Sequence, residues 1–178
     1  MVIDDLALDG VQLFKPKIYK DDRGIFTEKL NVNFLDNFSI KQVNQSISQK
    51  NVFRGFHFQS KNQQEKLVSV LEGAIIDICI DLRKNSKTFG KIFKVLLSEK
   101  NKKSIFIPKG FAHGYFTLNK FNLVYFQNSN YRNKNQEKGI LWNDIDLNLK
   151  LPIKKPLISK KDKLNISLKQ FLKKYKHL

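Results

Sequence analysis

The strongest indication of fold lies in residues 106 to 114, which read Phe106-Ile107-Pro108-Lys109-Gly110-Phe111-Ala112-His113-Gly114. Proline fixes the backbone and lacks an amide donor, so Pro108 ends one strand. Gly110 permits the tight turn that follows, and the next strand begins at His113. The pattern Pro-x-Gly-x-x-His therefore predicts two short strands and a histidine in a defined position, which does not by itself make that histidine catalytic.

Short strands separated by turns continue on both sides of this stretch. Turn residues recur at intervals of about 8–12 residues, the spacing of a β-sandwich or barrel. The predicted strands are residues 11–19, 24–30, 40–48, 53–59, 66–71, 74–82, 91–97, 104–108, 113–118 and 123–128, with a helical turn or two at 31–38. Helical periodicity appears in the tail, where Leu168, Phe171, Leu172 and Tyr175 share a face behind the N-cap candidate Ser167. The sequence predicts an all-β domain with a short C-terminal helix.

The composition is that of a globular protein with a strongly basic surface. The chain has 178 residues, 41% hydrophobic, and a formal net charge of +17. The lysines are spread along the chain, and neither an arginine-rich arm nor zinc-finger spacing accompanies them, so we predict no nucleic-acid partner. We interpret the positive charge as that of a solvated basic surface, part of which attracts a small anionic substrate.

Two further observations bear on location. The single cysteine, Cys79, lies in an apolar run and is read as a buried structural thiol. The sequence shows neither a signal peptide nor a stretch approaching the roughly 20 apolar residues that span a membrane. We expect a cytoplasmic protein with no membrane partner.

His57 lies in a second motif, Arg54-Gly55-Phe56-His57-Phe58-Gln59. In a regular strand Arg54, Phe56 and Phe58 face one side, and His57 and Gln59 face the other. Taken alone, such a histidine is more often structural than catalytic.

The Pro-x-Gly-x-x-His pattern is half of the signature of cupins, which are jelly-roll barrels that often hold a metal. A metal cupin has His-x-His at the first motif, where this chain has Gln59, and amides are poor ligands for zinc or iron. We therefore predict a metal-free cupin barrel.

Several blocks resemble those of the dTDP-4-dehydrorhamnose 3,5-epimerase family. Residues 52–59 resemble its V-L-R-G-L-H-[YF]-Q, and residues 106–114 match W-I-P-x-G-F-A-H-G in all but the first position. Similar blocks lie at 22–26, 42–46, 64–68, 81–90, 139–144 and 157–162, in the family's order. The resemblance implies one cupin-type jelly-roll domain over residues 1–178, with a barrel core at about 11–128 and a C-terminal segment, 129–178, that closes the site and ends in the helix.

The resemblance also implies an activity: epimerisation at C3 and C5 of a nucleotide-linked 4-keto-6-deoxy sugar, in rhamnose and lipopolysaccharide precursor synthesis. A ketone acidifies the neighbouring C–H bonds, so a base and an acid suffice and no cofactor is expected. By resemblance His57 is the base, Asp162 orients it, Lys66 faces the enolate oxygen and His113 lines the pocket. The substrate-binding residues carried over are Arg23, Phe26, Glu28, Gln42, Asn44, Arg54, Tyr131 and Lys161, and a homodimer is implied because the N-terminal strand of the family crosses to the partner.

One position departs from the family's pattern. The family's acid is a tyrosine, and an ungapped count from His113 places Phe126 there. The adjacent Tyr125 faces the other way in a regular strand, and a one-residue bulge would turn it into the pocket as the candidate acid. Gln45 and Gln127 also differ from the family, so we expect a divergent member. Three alternatives stay open: a single-centre epimerase acting on C3 or C5, a non-catalytic nucleotide-sugar-binding cupin, and a sugar ketoisomerase.

Overall fold

The fold is described by a computed structural model for residues 2–5, 8–29, 31, 33, 35 and 37–175, with the backbone alone for residues 2–5. Most of its regular structure is strand, and one short helix follows near the C-terminus. The strands are β1 (Val2–Asp5), β2 (Gln12–Lys15), β3 (Ile18–Asp21), β4 (Gly24–Thr27), β5 (Gln42–Ser48), β6 (Phe53–Gln59), β7 (Lys66–Glu72), β8 (Ala74–Asp81), β9 (Ile92–Ser98), β10 (Ser104–Ile107), β11 (Phe111–Thr117), β12 (Asn122–Asn128) and β13 (Glu137–Gly139). The helix α1 spans Leu168–Lys174.

Two antiparallel sheets form the jelly-roll β-barrel that the sequence predicts. One has six strands in the order β1-β2-β10-β7-β12-β5, and the other has five in the order β13-β6-β11-β8-β9. Strands β3 and β4 form a separate two-stranded hairpin. Because neighbours in the sheets are distant in sequence, residues from many parts of the chain meet between the sheets.

The central strands of the five-stranded sheet are buried on both faces. Ile75 and Cys79 of β8 belong to the cluster between the sheets, together with Val68 and Val124 from the six-stranded sheet. The intervening Ile78 points to a second cluster on the outer face. Alternate side chains of a strand point to opposite faces, so β8 needs apolar residues at nearly every position, and only Asp77 and Asp81 interrupt its apolar sequence.

The C-terminal segment covers that outer face. Its members in the second cluster are Ile140, Leu147, Leu168 and Phe171. A parallel bridge between Val52 and Leu157 fastens the segment beside the start of β6. The Leu157 N–H donates to the carbonyl of Asn51 at 2.8 Å. The segment is thereby held close to the strand that carries His57.

Helix α1 confirms the predicted C-terminal helix. Ser167 Oγ accepts from the backbone N–H of Gln170, and the Gln170 side chain accepts from the Ser167 N–H, which is a capping box. Phe171 packs against Phe58 with a centroid separation of 5.3 Å, so α1 supports β6 from outside the barrel. Leu172, predicted on the packed face, is 38% exposed. No helix in the described part of the chain is long and apolar enough to span a membrane.

Most strand boundaries agree with the predictions within one or two residues. The first predicted strand, 11–19, is wrong as a single element, because it divides into β2 and β3 around Pro16. The strand predicted from His113 begins two residues earlier, at Phe111. Two short strands, β1 and β13, were not predicted from the sequence. The helical turn expected at 31–38 and the last residues of the predicted helix, 176–178, lie partly or wholly outside the described residues.

Candidate active site

Strand β6 carries one extra residue where it pairs with β11. Arg54 pairs with Tyr115 and His57 pairs with His113, so the two residues between them on β6 stand opposite Gly114 alone. This is a β-bulge, which changes the direction of the side chains that follow it.

Two glycines meet at the bulge. Gly55 has φ +131°, and a Cβ there would lie 2.5 Å from Cα of Gly114. The bulge places Arg54 and His57 on the same pocket wall, while Phe56 packs in the outer cluster. The predicted alternation, which grouped Arg54 with Phe56, is therefore wrong.

His57 forms a close pair with Asp162. The distance from His57 Nε2 to Asp162 Oδ1 is 2.6 Å, and the side chains are 29% and 4% exposed. Asp162 is fixed by two further contacts: its own N–H donates to Ser159 Oγ at 3.0 Å, and Gly55 N–H lies 3.5 Å from Oδ2. Burial raises the pKa of Asp162, but the hydrogen bonds and the His57 ring outweigh burial, so the pKa lies below its ordinary value. An ionised Asp162 at this position can fix the orientation of the imidazole.

His113 forms a second pair, with Asp77 of β8. Nε2 of His113 lies 2.8 Å from Asp77 Oδ2, and the side chains are 5% and 0% exposed. The other oxygen of Asp77 is buried and has no hydrogen-bond partner among the described residues. A buried carboxylate beside the pocket therefore contributes negative charge to its neighbours.

Lys66 begins β7 and faces the same pocket. Burial lowers the pKa of Lys66 to about 8, and the negative charges of Glu137 and Asp77 oppose that effect. At neutral pH the ammonium form predominates. Lys66 is thus a partly buried cation on the pocket wall, in a position to stabilise developing negative charge.

A pocket of about 670 Å³ unites these groups. That volume lies within the range typical of sites for small molecules and cofactors. Of the predicted site residues, it is lined by His57, Asp162, Lys66, His113, Asn44, Arg54 and Lys161. Residues from both sheets and from the C-terminal segment contribute, so the pocket depends on the whole barrel.

Positive side chains gather at one part of the pocket around Glu137. Arg132 Nε lies 2.6 Å from one carboxylate oxygen of Glu137, and Lys161 Nζ contacts the other. Burial raises the pKa of Glu137, but the hydrogen bonds from Arg132 and Lys161 outweigh it and lower the pKa to about 2. Glu137 therefore holds Arg132 and Lys161 in place as a cationic region of the pocket wall, an arrangement suited to an anionic group such as a diphosphate.

The sequence and the fold match one enzyme family. Residues 5–170 match the family model described as dTDP-4-dehydrorhamnose 3,5-epimerase. The chain belongs to this family. The dTDP-4-dehydrorhamnose 3,5-epimerase of Shigella flexneri is 40% identical over 161 residues, covering 87% of this chain and 89% of that protein.

Solved structures of family members agree with the barrel. The Bacillus anthracis dTDP-4-dehydrorhamnose 3,5-epimerase with TDP and PPi bound has a TM-score of 0.90 at 36% identity, covering 94% of this chain and 99% of that one. The Legionella pneumophila dTDP-6-deoxy-D-glucose-3,5-epimerase in complex with dTDP-4-keto-L-rhamnose has a TM-score of 0.90 at 36% identity, covering 94% and 93%. With relatives this similar, the chain is not an especially divergent member of the epimerase family, contrary to the expectation from single positions.

Phe126 faces the pocket and Tyr125 does not line it. Strand β12 pairs without a shift from residue 124 to residue 128 on both of its neighbours, so no bulge re-aims Tyr125. Phe126 pairs with Asn44 of β5, and both side chains line the pocket. The expectation that Tyr125 enters the pocket of this epimerase-family chain is not met.

Three predicted substrate-binding residues lie on the β3–β4 hairpin, away from the main pocket. Arg23 is 90% exposed and pairs with Asp21. Phe26 is 69% exposed and lines a separate surface recess with Glu28. Within one chain, therefore, the hairpin does not contribute to the pocket.

The two remaining predicted ligands, Gln42 and Tyr131, do not line the pocket themselves. The Gln42 side chain accepts from the Arg132 N–H at 2.7 Å, and its amide donates to Asn44 at 3.3 Å. Tyr131 is 66% exposed and does not line the pocket. Gln42 therefore supports Asn44 and the cationic region.

Gln59 stands where a metal cupin has its second histidine, and its side-chain amide is fully engaged in hydrogen bonds with the backbone. Its amide donates to the carbonyls of Asn62, at 2.8 Å, and Tyr131, at 3.3 Å. Its oxygen accepts from the Asn133 N–H at 2.6 Å. These contacts give Gln59 a role in fixing the loop that leads to β13.

Several pocket residues escaped the sequence analysis. They are Ser46, Asp77, Tyr115, Arg132 and Glu137, each in the pocket or in contact with it. Tyr115 lies two positions after His113 in one strand, so strand alternation alone predicts that it shares the face of His113. For Asp77 and Arg132 the sequence holds no local signal, since their partners come from other elements.

Proposed function

We propose that this chain is a cofactor-independent epimerase that inverts C3, C5 or both in a dTDP-linked 4-keto-6-deoxy sugar. The observation that carries the proposal is the His57–Asp162 pair at 2.6 Å in a pocket that also holds Lys66, in a member of this family. Binding alone requires neither a base with an orienting carboxylate nor a partly buried cation.

His57 is the proposed base. Asp162 engages Nε2, and the other ring nitrogen has no hydrogen-bond partner among the described residues, so Nδ1 is the atom that receives a proton. Nδ1 takes the proton from the carbon next to the ketone, and the electrons of that C–H bond move to the carbonyl oxygen. Asp162 stabilises the imidazolium that forms, as a carboxylate does in a catalytic triad.

Lys66 is the proposed partner of the enolate oxygen. Its side chain is partly buried, burial lowers its pKa, and an electrostatic contact is stronger where a bound substrate excludes water. The contact is stronger in the enolate than in the neutral ketone, which is the condition for lowering the barrier. No metal or cofactor is required for this step.

The cationic region holds the diphosphate in this proposal. Arg132 and Lys161 form that region, Arg54 lines another part of the pocket, and guanidinium groups match phosphate oxygens in pairs. The B. anthracis family member binds TDP and PPi, and the L. pneumophila member binds dTDP-4-keto-L-rhamnose, which supports a dTDP-sugar here.

The test is proton NMR of dTDP-4-keto-6-deoxyglucose in D₂O with the purified protein. We expect deuterium to enter beside the ketone and His57→Asn to slow that exchange about 10²–10⁴-fold, since a positioned base contributes that much. Titration with dTDP is the control and should show binding retained in His57→Asn. No exchange with the wild type, despite dTDP binding, would contradict the enzyme and favour a nucleotide-sugar-binding cupin.

A single-centre epimerase is the second candidate, and Phe126 is the observation that favours it. A phenyl ring has no proton to donate, and Phe126 faces the pocket. Exchange at one carbon only would select this alternative, whereas exchange at both carbons would select the double epimerase.

We also propose a homodimer that works in the cytoplasm. The hairpin exposes the apolar side chains Ile18, Tyr19, Ile25 and Phe26, which a second copy would cover. The free, buried thiol of Cys79 agrees with a reducing compartment. Light scattering of the purified protein tests the dimer, and a monomer at micromolar concentration would contradict it.

A further inference from the structure

Tyr115 is the only tyrosine among the described residues that line the pocket. Its ring packs beside two other pocket rings, with centroid separations of 6.0 Å to Phe126 and 6.3 Å to His113. Phe126 presents a ring without a hydroxyl, and its neighbour Tyr115 presents one with a hydroxyl.

The phenolic oxygen of Tyr115 reaches across the barrel. It lies 2.6 Å from Oγ of Ser46 on β5, although Tyr115 itself belongs to the other sheet. His57 Nε2, by contrast, is held against Asp162 of the C-terminal segment. The pocket therefore has an imidazole anchored at the C-terminal segment and a phenol anchored at the six-stranded sheet.

The surroundings keep the phenol protonated. Burial raises the pKa of Tyr115 above its ordinary value, against opposing effects of Ser46, Arg54 and Ser48. A protonated hydroxyl that is held in position and shielded from water can deliver a proton to a carbanion.

We propose that Tyr115 is the general acid of the reaction, an inference that rests on the proposed function. His57 breaks the C–H bond and forms the enolate. The Tyr115 O–H bond then breaks as its proton joins the same carbon on the other face, and the enolate electrons form the new C–H bond. The phenolate regains a proton from water through Ser46 Oγ, and the imidazolium of His57 releases its proton to water, so the enzyme returns to its starting state.

Removal of one oxygen separates the two steps. In Tyr115→Phe we expect His57 to continue exchanging the proton for deuterium with retention of configuration, within about tenfold of the wild-type rate. Formation of the inverted sugar should fall about 10²–10⁴-fold, since a positioned acid contributes that much. Proton NMR in D₂O measures exchange and inversion in one sample. Tyr175→Phe is the matched control, because that ring packs on Phe58 and Phe171 outside the pocket.

A second variant moves the hydroxyl to the adjacent ring. Tyr115→Phe combined with Phe126→Tyr keeps the number of ring atoms and hydroxyls constant, and we expect at least a tenfold recovery of inversion over Tyr115→Phe. A double variant that binds dTDP but inverts no faster than Tyr115→Phe would contradict the placement of the proton donor next to the Phe126 ring.

The remaining outcomes are distinct. Wild-type inversion rates in Tyr115→Phe overturn this inference and leave the proposed function intact. Loss of inversion in Tyr125→Phe instead would assign the acid to Tyr125 and also overturn it. Absence of any exchange with the wild type overturns the proposed function and this inference with it.

Discussion

The barrel contains two histidine–carboxylate pairs with nearly the same geometry and different surroundings. His57 and Asp162 are 2.6 Å apart, and His113 and Asp77 are 2.8 Å apart. His57 is 29% exposed and faces the open pocket, whereas His113 is 5% exposed. The first pair joins a strand to the C-terminal segment, and the second joins two neighbouring strands within one sheet.

The difference shows that access, rather than the contact itself, divides the proposed roles. A base must reach both the substrate and, at the end of the cycle, water, and of the two described histidines His57 is the one that combines a carboxylate partner with that exposure. Asp77 instead acts on its surroundings, because its charge raises the pKa of Lys66. The buried pair is therefore proposed to build the pocket and tune its charge, and the accessible pair to move the proton.

The largest expected effect is a loss of epimerisation rate when the carboxylate of the accessible pair is replaced. In Asp162→Asn we expect kcat/KM for epimerisation to fall about 10²–10⁴-fold, because the amide neither stabilises the imidazolium nor fixes the same tautomer. Steady-state kinetics on the dTDP-keto sugar measure it. Asp144→Asn is the control: Asp144 is buried in the same segment and accepts from Asp146 and Leu168, but does not line the pocket. Equal losses in both variants would contradict an orienting role for Asp162.

The next effect separates the two pairs by stability. Asp77→Asn removes the charge of a carboxylate that has no exposed surface, and losing a hydrogen bond to a charged group costs about 1.5–3 kcal/mol. We expect the urea midpoint of Asp77→Asn to fall well below that of Asp162→Asn. Similar midpoints for the two variants would contradict the expectation that the more deeply buried pair contributes more to stability.

A smaller effect concerns pH. Because Lys66 has a pKa of about 8 and must be protonated to face the enolate, kcat/KM should decline as pH rises through about 8. The charge of Asp77 raises this pKa, so Asp77→Asn should move the decline to lower pH, whereas Asp162 is not among the causes of the shift and Asp162→Asn should leave it in place. A decline at the same pH in all three proteins would dissociate it from Lys66.

The smallest effect is the acid dependence of stability. The folded-state pKa of Asp162 lies below its ordinary value of 3.8, so its contribution is complete above that value and is lost as pH falls through the folded pKa. We therefore expect the stability gap between wild type and Asp162→Asn to narrow below pH about 4. Urea titrations at several pH values measure the gap, and a constant gap would argue that Asp162 gains no stability from ionisation.

The parts of the fold that the sequence predicts depend on residues close to one another in the chain. Proline and glycine act within one turn, so the turn before His113 and most strand ends follow from the sequence. The break between β2 and β3 follows from Pro16 in the same way, although the prediction treated residues 11–19 as one strand. The capping box at Ser167 likewise depends on residues three positions apart.

The site is harder to predict, because its contacts join distant residues. His57 and Asp162 are 105 positions apart, and only the family resemblance pairs them. The bulge in β6 depends on Gly114 of another strand, so no pattern within 53–59 reveals that Arg54 turns toward the pocket. The face of Tyr115 is predictable by alternation, but its partner Ser46 lies 69 positions away.

The position of Asp162 in the chain has a consequence for the order in which the enzyme becomes active during synthesis. Every barrel strand that lines the pocket leaves the ribosome before Asp162 does, and at about 5–20 residues per second the separation from His57 amounts to roughly 5–20 s. A nascent chain that has completed β12 holds the strands that form most of the pocket wall but lacks Arg132, Glu137, Lys161 and Asp162, which follow in the chain. In the proposed mechanism, therefore, the carboxylate that partners the base reaches the site only after the strands that surround the substrate have been made.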